Sequence, residues 1–250
     1  MADTQAEADL GLLPRDRSFA QSLPAFLFPY VAYVGLASLP QRFLPAEAAY
    51  GLRFAAVAAL LWCFRRKYRF GPALGPGQIA IACAAAPVVL ALWILCYRLS
   101  LALPWWQPQL ASAGAARPSD LYIVLRTLNS ALLVPVFEEL FCRAWLAELL
   151  FGLPSAPGGF SARLGRRMDD HPVALAAPPL SRLSAWGCAL LFTIGHNASA
   201  WLPALVYFGV TNWIYRRTRS FRVCVLIHGL VNLGIAGLVR AFPDLAFLWF

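Results

Sequence analysis

The sequence predicts an all-α protein, a polytopic transmembrane helical bundle of about seven spans. Of its 250 residues, 60% are hydrophobic and only 13% are charged, and the mean hydropathy is +0.62. That composition is not typical of a soluble globular domain. Several apolar windows reach the roughly 20 residues that a helix needs to cross a hydrocarbon core of about 30 Å, and arginine clusters and Pro/Gly breaks separate them.

The expected spans are residues 24–40, 46–64, 78–97, 121–151, 183–199, 201–215 and 223–240. Prolines inside these spans are tolerable because neighbouring helices can satisfy the backbone groups that a proline frees. The fifth and sixth spans are joined only by the stretch ASAWLP, so they form either a tight helical hairpin or one broken helix. We divide the chain into an N-terminal tail, 1–20, and a single membrane domain, 21–250.

The basic residues predict the orientation. They cluster at 65–69, in the loop 163–182 and at 216–222. Because cytoplasmic loops carry an excess of Arg and Lys, these clusters indicate a cytoplasmic N-terminal tail and a C-terminus on the far side. We therefore expect a multi-pass protein of the cell's inner (plasma) membrane. The clusters share no polar face, which argues against nucleic acid as a partner.

Two long connections separate the expected spans. The loop 98–120, with its paired Trp105 and Trp106, is predicted to be an interfacial or re-entrant segment, and residues 152–181 form the longest polar connection. The cysteines lie within or at the ends of apolar segments and show no CxxC spacing. Neither a disulfide framework nor a zinc ribbon is therefore expected.

The stretch VFEELFCRAW, residues 136–145, carries three charges inside an apolar helix. An ionised side chain at the bilayer centre costs about 2.5–3.5 kcal/mol on insertion scales, so it is expected to have a functional role and a partner. Glu139 and Arg143 are four residues apart and share one helix face, whereas Glu138 is rotated by about 100° from Glu139. Arg143 is thus expected to neutralise Glu139 and leave Glu138 available for chemistry.

The later spans add the other polar candidates. His196 ends the stretch FTIGH, and His228 and Asn232 lie four apart in HGLVN, on one helix face. A carboxylate, two imidazoles and a carboxamide supply what amide hydrolysis needs, namely a base for water, a partner to hold that water and donors for the oxyanion. The sequence therefore predicts a protease or a related hydrolase.

The three motifs E-E-x-x-x-R, F-x-x-x-H and H-x-x-x-N, in this order, resemble those of the CPBP family of intramembrane glutamate proteases. This family includes the type II CAAX prenyl proteases, and the likeness covers residues 121–240, the expected catalytic core. The chain is also similar to a branch related to CAAX prenyl proteases in bacterial exosortase systems, through FLFPYVAY and WCFRRKYRF in its first half and FLWF at its end. Ala144 departs from the pattern, because many members have Gly after the Arg.

The resemblance implies a role for each candidate residue. Glu138 would activate water with the help of His196, Glu139 would pair with Arg143, and His228 and Asn232 would form the oxyanion site. It implies no metal and no other cofactor. The expected partners are membrane lipids and a membrane-associated peptide or protein substrate, whereas the oligomeric state is not predicted.

Two alternatives remain open at this stage. A membrane scaffold or immunity-type protein could keep the same residues as a structural polar core. Glu138, His196 and His228 also have the residue types of a metal-dependent membrane protease, although the chain contains no HExxH sequence. Among the neighbouring residues, Phe192 is expected to pack beside the site, and Cys142 to point elsewhere on the helix as a small apolar filler. Arg126 and Asn129 are candidates for lining the cavity.

Overall fold

A computed structural model describes residues 19–38, 44–68, 70, 72–103, 119–155, 158–170, 180–242, 245 and 248. Within these ranges the chain forms eight helices and no strand, so the predicted all-α class is confirmed. The expected cytoplasmic tail lies almost wholly outside the described residues. The same is true of Trp105 and Trp106 and most of the segment around them.

The helices are α1 Phe19–Ala37, α2 Ala46–Phe64, α3 Pro76–Ala102, α4 Asp120–Gly152, α5 Phe160–Asp170, α6 Arg182–Ile194, α7 Trp201–Thr218 and α8 Phe221–Ala241. In the part of the chain that the structure describes, four segments are long and apolar enough to cross a membrane, namely Ala46–Lys67, Pro76–Ala102, Asp120–Phe151 and Phe221–Ala241. Ser22–Ala37 and Arg182–Ile194 are shorter apolar helices. The molecule is a helical membrane bundle, and the number of seven spans stays a prediction.

Two local differences from the predicted spans have simple causes. Helix α6 ends at Ile194, before the predicted boundary at 199, and the Asn197 side chain accepts a hydrogen bond from the Ala200 backbone N–H to start a 3₁₀ turn. Helices α6 and α7 pack against each other, so of the two alternatives the hairpin is correct. The predicted polar connection 152–181 contains α5.

Helix α4 contains two more widely wound segments along its length. The α-helical segments Asp120–Leu128, Val134–Glu139 and Ala147–Gly152 alternate with the π-helical segments Asn129–Leu133 and Leu140–Leu146. Pro135 has no N–H to donate to the carbonyl four residues earlier, and its ring crowds that carbonyl, which explains the first wide segment. The second wide segment carries Arg143, at the centre of the site described below.

The core is built around α4. Helix α8 packs on α3 and α4, α7 packs on α3 and α6, and α1 packs on α2 and on the second π segment of α4. Phe137, Leu140, Phe208 and Ile227 are fully buried in this core. Many large apolar side chains face outward instead, Trp62, Trp186 and Trp213 among them, as expected where lipid rather than water surrounds a bundle.

Candidate active site

The second π segment and the end of the preceding α-helical turn place three charged side chains inside the bundle. Glu139 and Arg143 are each only 1% exposed. The Nη1 atom of Arg143 donates to Oε2 of Glu139, so the ion pair inferred from the i, i+4 spacing is present. Two charges buried together in this way depend on each other, because removing one leaves the other without compensation.

Residues of helix α7 also contact the Arg143 side chain. Arg143 Nη2 donates to Oγ1 of Thr211, and its Nε donates to Oδ1 of Asn212 at 3.3 Å. The guanidinium carbon also lies 4.1 Å from the centre of the Phe208 ring. All three guanidinium nitrogens therefore have a partner, and α7 holds the head group of Arg143 in place.

The imidazole of His228, on α8, lies between the two carboxylates. Its Nε2 atom is 3.8 Å from Oε2 of Glu138, and its Nδ1 atom is 3.4 Å from Oε1 of Glu139. The Tyr207 ring on α7 packs 5.1 Å from the imidazole, centre to centre, and the Tyr207 hydroxyl donates to Oε1 of Glu139 at 3.4 Å. His228 thus contacts both glutamates, which the spacing of the motifs did not predict.

Glu138 differs from its neighbour because, among the described residues, no Arg or Lys forms an ion pair with it. Its Oε2 atom is buried and accepts no hydrogen bond from the described residues. The 3.8 Å to His228 Nε2 is too long for a direct hydrogen bond, but a water about 2.8 Å from each atom can contact both. Glu138 is therefore the carboxylate of the pair that can take a proton.

His196 follows the C-terminus of α6 and approaches the same space from another direction. Its Nδ1 atom lies 2.8 Å from the carbonyl oxygen of Phe192. A carbonyl only accepts, so in the neutral ring Nδ1 carries the hydrogen and Nε2 is an acceptor. The ring packs 4.7 Å from Phe192 and 6.0 Å from Trp93, centre to centre. Within the described residues, no hydrogen bond or ion pair joins it to Glu138.

A cavity of about 140 Å³ brings four of the six predicted residues together. It is lined by Trp93, Arg126, Ser130, Val134, Glu138, Phe192, His196, Tyr207, His228, Val231, Asn232, Ile235 and Leu248. Asn232 is held at the wall because its Nδ2 donates to the Ser130 carbonyl at 2.6 Å. Glu139 and Arg143 lie behind the wall, so they support the cavity rather than line it.

Arg126 and Asn129 were both expected to line the cavity, but of these two only Arg126 does so. The Nδ2 atom of Asn129 instead donates to the carbonyl oxygens of Tyr50 and Leu125, at 3.0 and 2.8 Å, so this expectation was wrong for Asn129. The physical reason is that α2 packs against that side of α4 and offers a backbone acceptor. Phe192 packs against both imidazoles, as expected for a residue beside the site.

Sequence reasoning missed the contribution of α7. Tyr207, Thr211 and Asn212 contact Glu139 or Arg143, and none of them belongs to the three motifs. A signal was present, since Tyr207 and Thr211 are four residues apart in an otherwise apolar stretch and therefore share one helix face. Among the described residues, no three His, Cys, Asp or Glu side chains are grouped as metal ligands.

The fold and the site define a helical membrane protein with a glutamate and two histidines around one internal cavity. Residues 120–234 match the family model described as Type II CAAX prenyl endopeptidase Rce1-like. The match runs from the start of α4 into α8 and includes all six candidate residues. This part of the chain is therefore similar to Rce1-like endopeptidases, and the similarity indicates a CAAX-type intramembrane protease. Neither a curated protein nor a solved structure matches the chain.

Proposed function

We propose that the protein hydrolyses a peptide bond of a membrane-associated protein or peptide, with water that Glu138 activates. The observation that carries this proposal is the difference between the two adjacent glutamates. Arg143 neutralises Glu139, whereas Oε2 of Glu138 is buried with no hydrogen bond from any residue that the structure describes, and Glu138 borders a cavity that two imidazoles also line. A group in that position can act as a general base within reach of a bound substrate.

In the proposed reaction, Glu138 takes a proton from water, and the water oxygen attacks the carbonyl carbon of the scissile amide. The carbonyl electron pair moves onto its oxygen. Collapse of this oxyanion breaks the C–N bond, and the proton held by Glu138 passes to the leaving nitrogen. The products are a carboxylic acid and an amine, and no redox partner is needed.

The remaining residues position the water and stabilise the oxyanion. His196 has its Nδ1 hydrogen directed at Phe192, so its Nε2 can accept a hydrogen bond from the water. The amide of Asn232 can donate its second hydrogen to the oxyanion. His228 can donate from Nε2 when both ring nitrogens are protonated, because its Nδ1 faces the Glu139 carboxylate and must then carry a hydrogen. Glu139, Arg143 and Tyr207 act through His228, whose Nδ1 atom faces Glu139.

The test compares the membrane proteomes of cells that carry the wild-type protein or the Glu138→Gln variant. New protein termini that appear only with the wild type would identify substrates, and the matching membrane-tethered peptides would then be assayed with purified protein in liposomes. Asp120→Asn is the matched control, since it makes the same chemical change at an exposed position of α4. Wild-type turnover by Glu138→Gln would refute the proposal, and equal termini in both strains would favour a non-catalytic scaffold.

The same purified protein tests the alternative of a metal-dependent protease. A chelator should leave turnover unchanged if Glu138 and His196 act on water directly. Complete inhibition that zinc reverses would instead assign Glu138 and the histidines to a metal site, and the glutamate-water mechanism would be wrong.

We further propose a cytoplasmic N-terminus and an inner-membrane location. Tyr68, next to the basic turn Arg65–Lys67, donates to the Ala25 carbonyl near the start of α1, and Arg222 donates to the Phe70 carbonyl. These contacts link the basic turn and Arg222 to the start of α1, which supports their lying on the same side of the membrane. Reporter fusions at both termini would test the orientation, and a periplasmic N-terminus would refute it. The exosortase association stays a prediction, which the neighbouring genes would test.

A further inference from the structure

A second cavity, of about 270 Å³, lies beside Glu138 on the side of α1. We infer that it holds an apolar side chain of the substrate during cleavage, and that Tyr30 and Gly195 limit the size of that side chain. The inference rests on the proposed hydrolysis at Glu138. The cavity is lined by Leu27, Tyr30, Glu138, Phe141, Cys142, Leu191, Phe192, Ile194 and Gly195.

Glu138 connects this cavity with the polar one, because its side chain lines both. Neighbouring residues of a peptide are only about 3.8 Å apart between their Cα atoms. A peptide bond placed at Glu138 therefore brings an adjacent side chain within reach of the second cavity. Apart from Glu138, the lining side chains are apolar except for the Tyr30 hydroxyl and the Cys142 thiol. Such a wall favours an aliphatic or aromatic group over a polar one.

The second cavity also reaches the outer surface of the bundle. Two of its lining residues on α6, Leu191 and Ile194, are 46% and 59% exposed. These side chains belong to the apolar surface that faces lipid. A substrate segment in the bilayer can therefore bring its side chain to Glu138 between α1 and α6 without crossing the polar cavity.

Gly195 keeps this cavity open. Its backbone, at φ −65° and ψ −12°, lies in the right-handed helical region, which any residue adopts. Space is the constraint, since a Cβ atom at 195 would lie 2.6 Å from the Tyr30 hydroxyl oxygen. The Tyr30 ring stacks on Phe141 and meets Phe137 edge to face, at 5.9 Å in each case. Tyr30 therefore cannot retreat freely, and a side chain at 195 would narrow the cavity.

The size limit is tested with membrane-tethered peptides that differ only in Ala, Leu or Phe beside the scissile bond. Gly195→Ala should lower kcat/KM for the Phe peptide by about tenfold or more relative to the Ala peptide, a typical effect of one carbon in an apolar pocket. Adding Tyr30→Phe removes the clashing oxygen and should restore cleavage of the Phe peptide. Gly187→Ala is the matched control, since its Cβ would lie 2.6 Å from the flexible end of Leu150, outside both cavities.

An equal loss for all three peptides, or no recovery in the double variant, would overturn the inference. Either result would mean that a side chain at position 195 lowers activity by disturbing the neighbouring His196 and not by narrowing the second cavity. A selective loss for the Phe peptide that Tyr30→Phe reverses would support it.

A second experiment does not need turnover. A membrane-tethered peptide with an alkyl-diazirine side chain is crosslinked to the Glu138→Gln variant in liposomes. We expect adducts on Leu27, Tyr30 or Leu191, and their loss when Gly195→Leu fills the cavity. Adducts elsewhere only, or labelling of these residues by a diazirine phospholipid that the peptide cannot displace, would overturn the inference. The expected adducts together with an inactive wild type would refute the proposed hydrolysis alone.

Discussion

Gly229 of α8 lies directly against the carbonyl oxygen of Ala131 on α4. A Cβ atom at 229 would be 2.7 Å from that oxygen. Ala131 is four residues before Pro135, so its carbonyl is the one that the proline cannot satisfy, and it lies in the first π segment. The close approach of the two helices at this point places His228, the residue before Gly229, beside Glu138.

We predict that Gly229→Ala separates α8 from α4, because a backbone oxygen cannot rotate away from the added methyl. Crowding of this kind typically costs about 1–3 kcal/mol of stability. A shift of His228 by about 1 Å should reduce kcat by up to about 100-fold. Gly237→Ala on the same helix serves as control, because its Cβ would have no atom of the described residues within 4 Å. Thermal unfolding in detergent and kcat test this, and a wild-type kcat for Gly229→Ala would contradict it.

The buried pair of Glu139 and Arg143 predicts a non-additive effect on folding. Glu139→Gln and Arg143→Leu each leave one buried charge without its partner, which typically costs about 3–5 kcal/mol. The double replacement should be milder than either single one, since neither charge remains. Membrane abundance and Tm of the purified protein measure this, with Arg216→Leu at an exposed position as control. Wild-type abundance of both single variants would show that the pair is not structural.

The hydroxyl of Tyr207 should contribute mainly to activity, and its ring mainly to stability. Tyr207→Phe removes the donor to Glu139 but keeps the packing on Phe192 and His228, so stability should fall by only about 1 kcal/mol. Tyr207→Ala also removes the buried ring, and its cost should reach about 3–5 kcal/mol. We expect a lower kcat for Tyr207→Phe at nearly unchanged Tm. Equal Tm losses for the two variants would contradict this role.

Asn232→Ala should leave slow but measurable turnover. Losing one oxyanion donor commonly reduces kcat by about 100 to 1,000-fold. In contrast, Glu138→Gln and His196→Ala should abolish turnover in a folded protein, because they remove the base and its partner. Single-turnover assays in liposomes distinguish these outcomes. Complete inactivity of Asn232→Ala with an unchanged Tm would require a larger role for this amide than donation to the oxyanion.

The sequence by itself determined the helical class and predicted which residues form the candidate site. Both depend on local patterns. Apolar windows long enough to cross a bilayer predict helices, and the i, i+4 spacing of Glu139 and Arg143 predicts their pairing whatever the rest of the chain does. The isolation of Glu138 also followed from spacing, because adjacent residues on a helix point in different directions.

Only the tertiary structure decided which groups surround these residues. Thr211 and Asn212 hold Arg143 because α7 packs beside α4, and His228 contacts both glutamates because Gly229 allows α8 to approach Ala131. Asn129 faces Tyr50 rather than the cavity because α2 lies on that side. A sequence pattern gives the faces of one helix, whereas contacts between helices depend on how each is wound, rotated and packed. The π segments of α4 and the closeness of Gly229 are set by that packing.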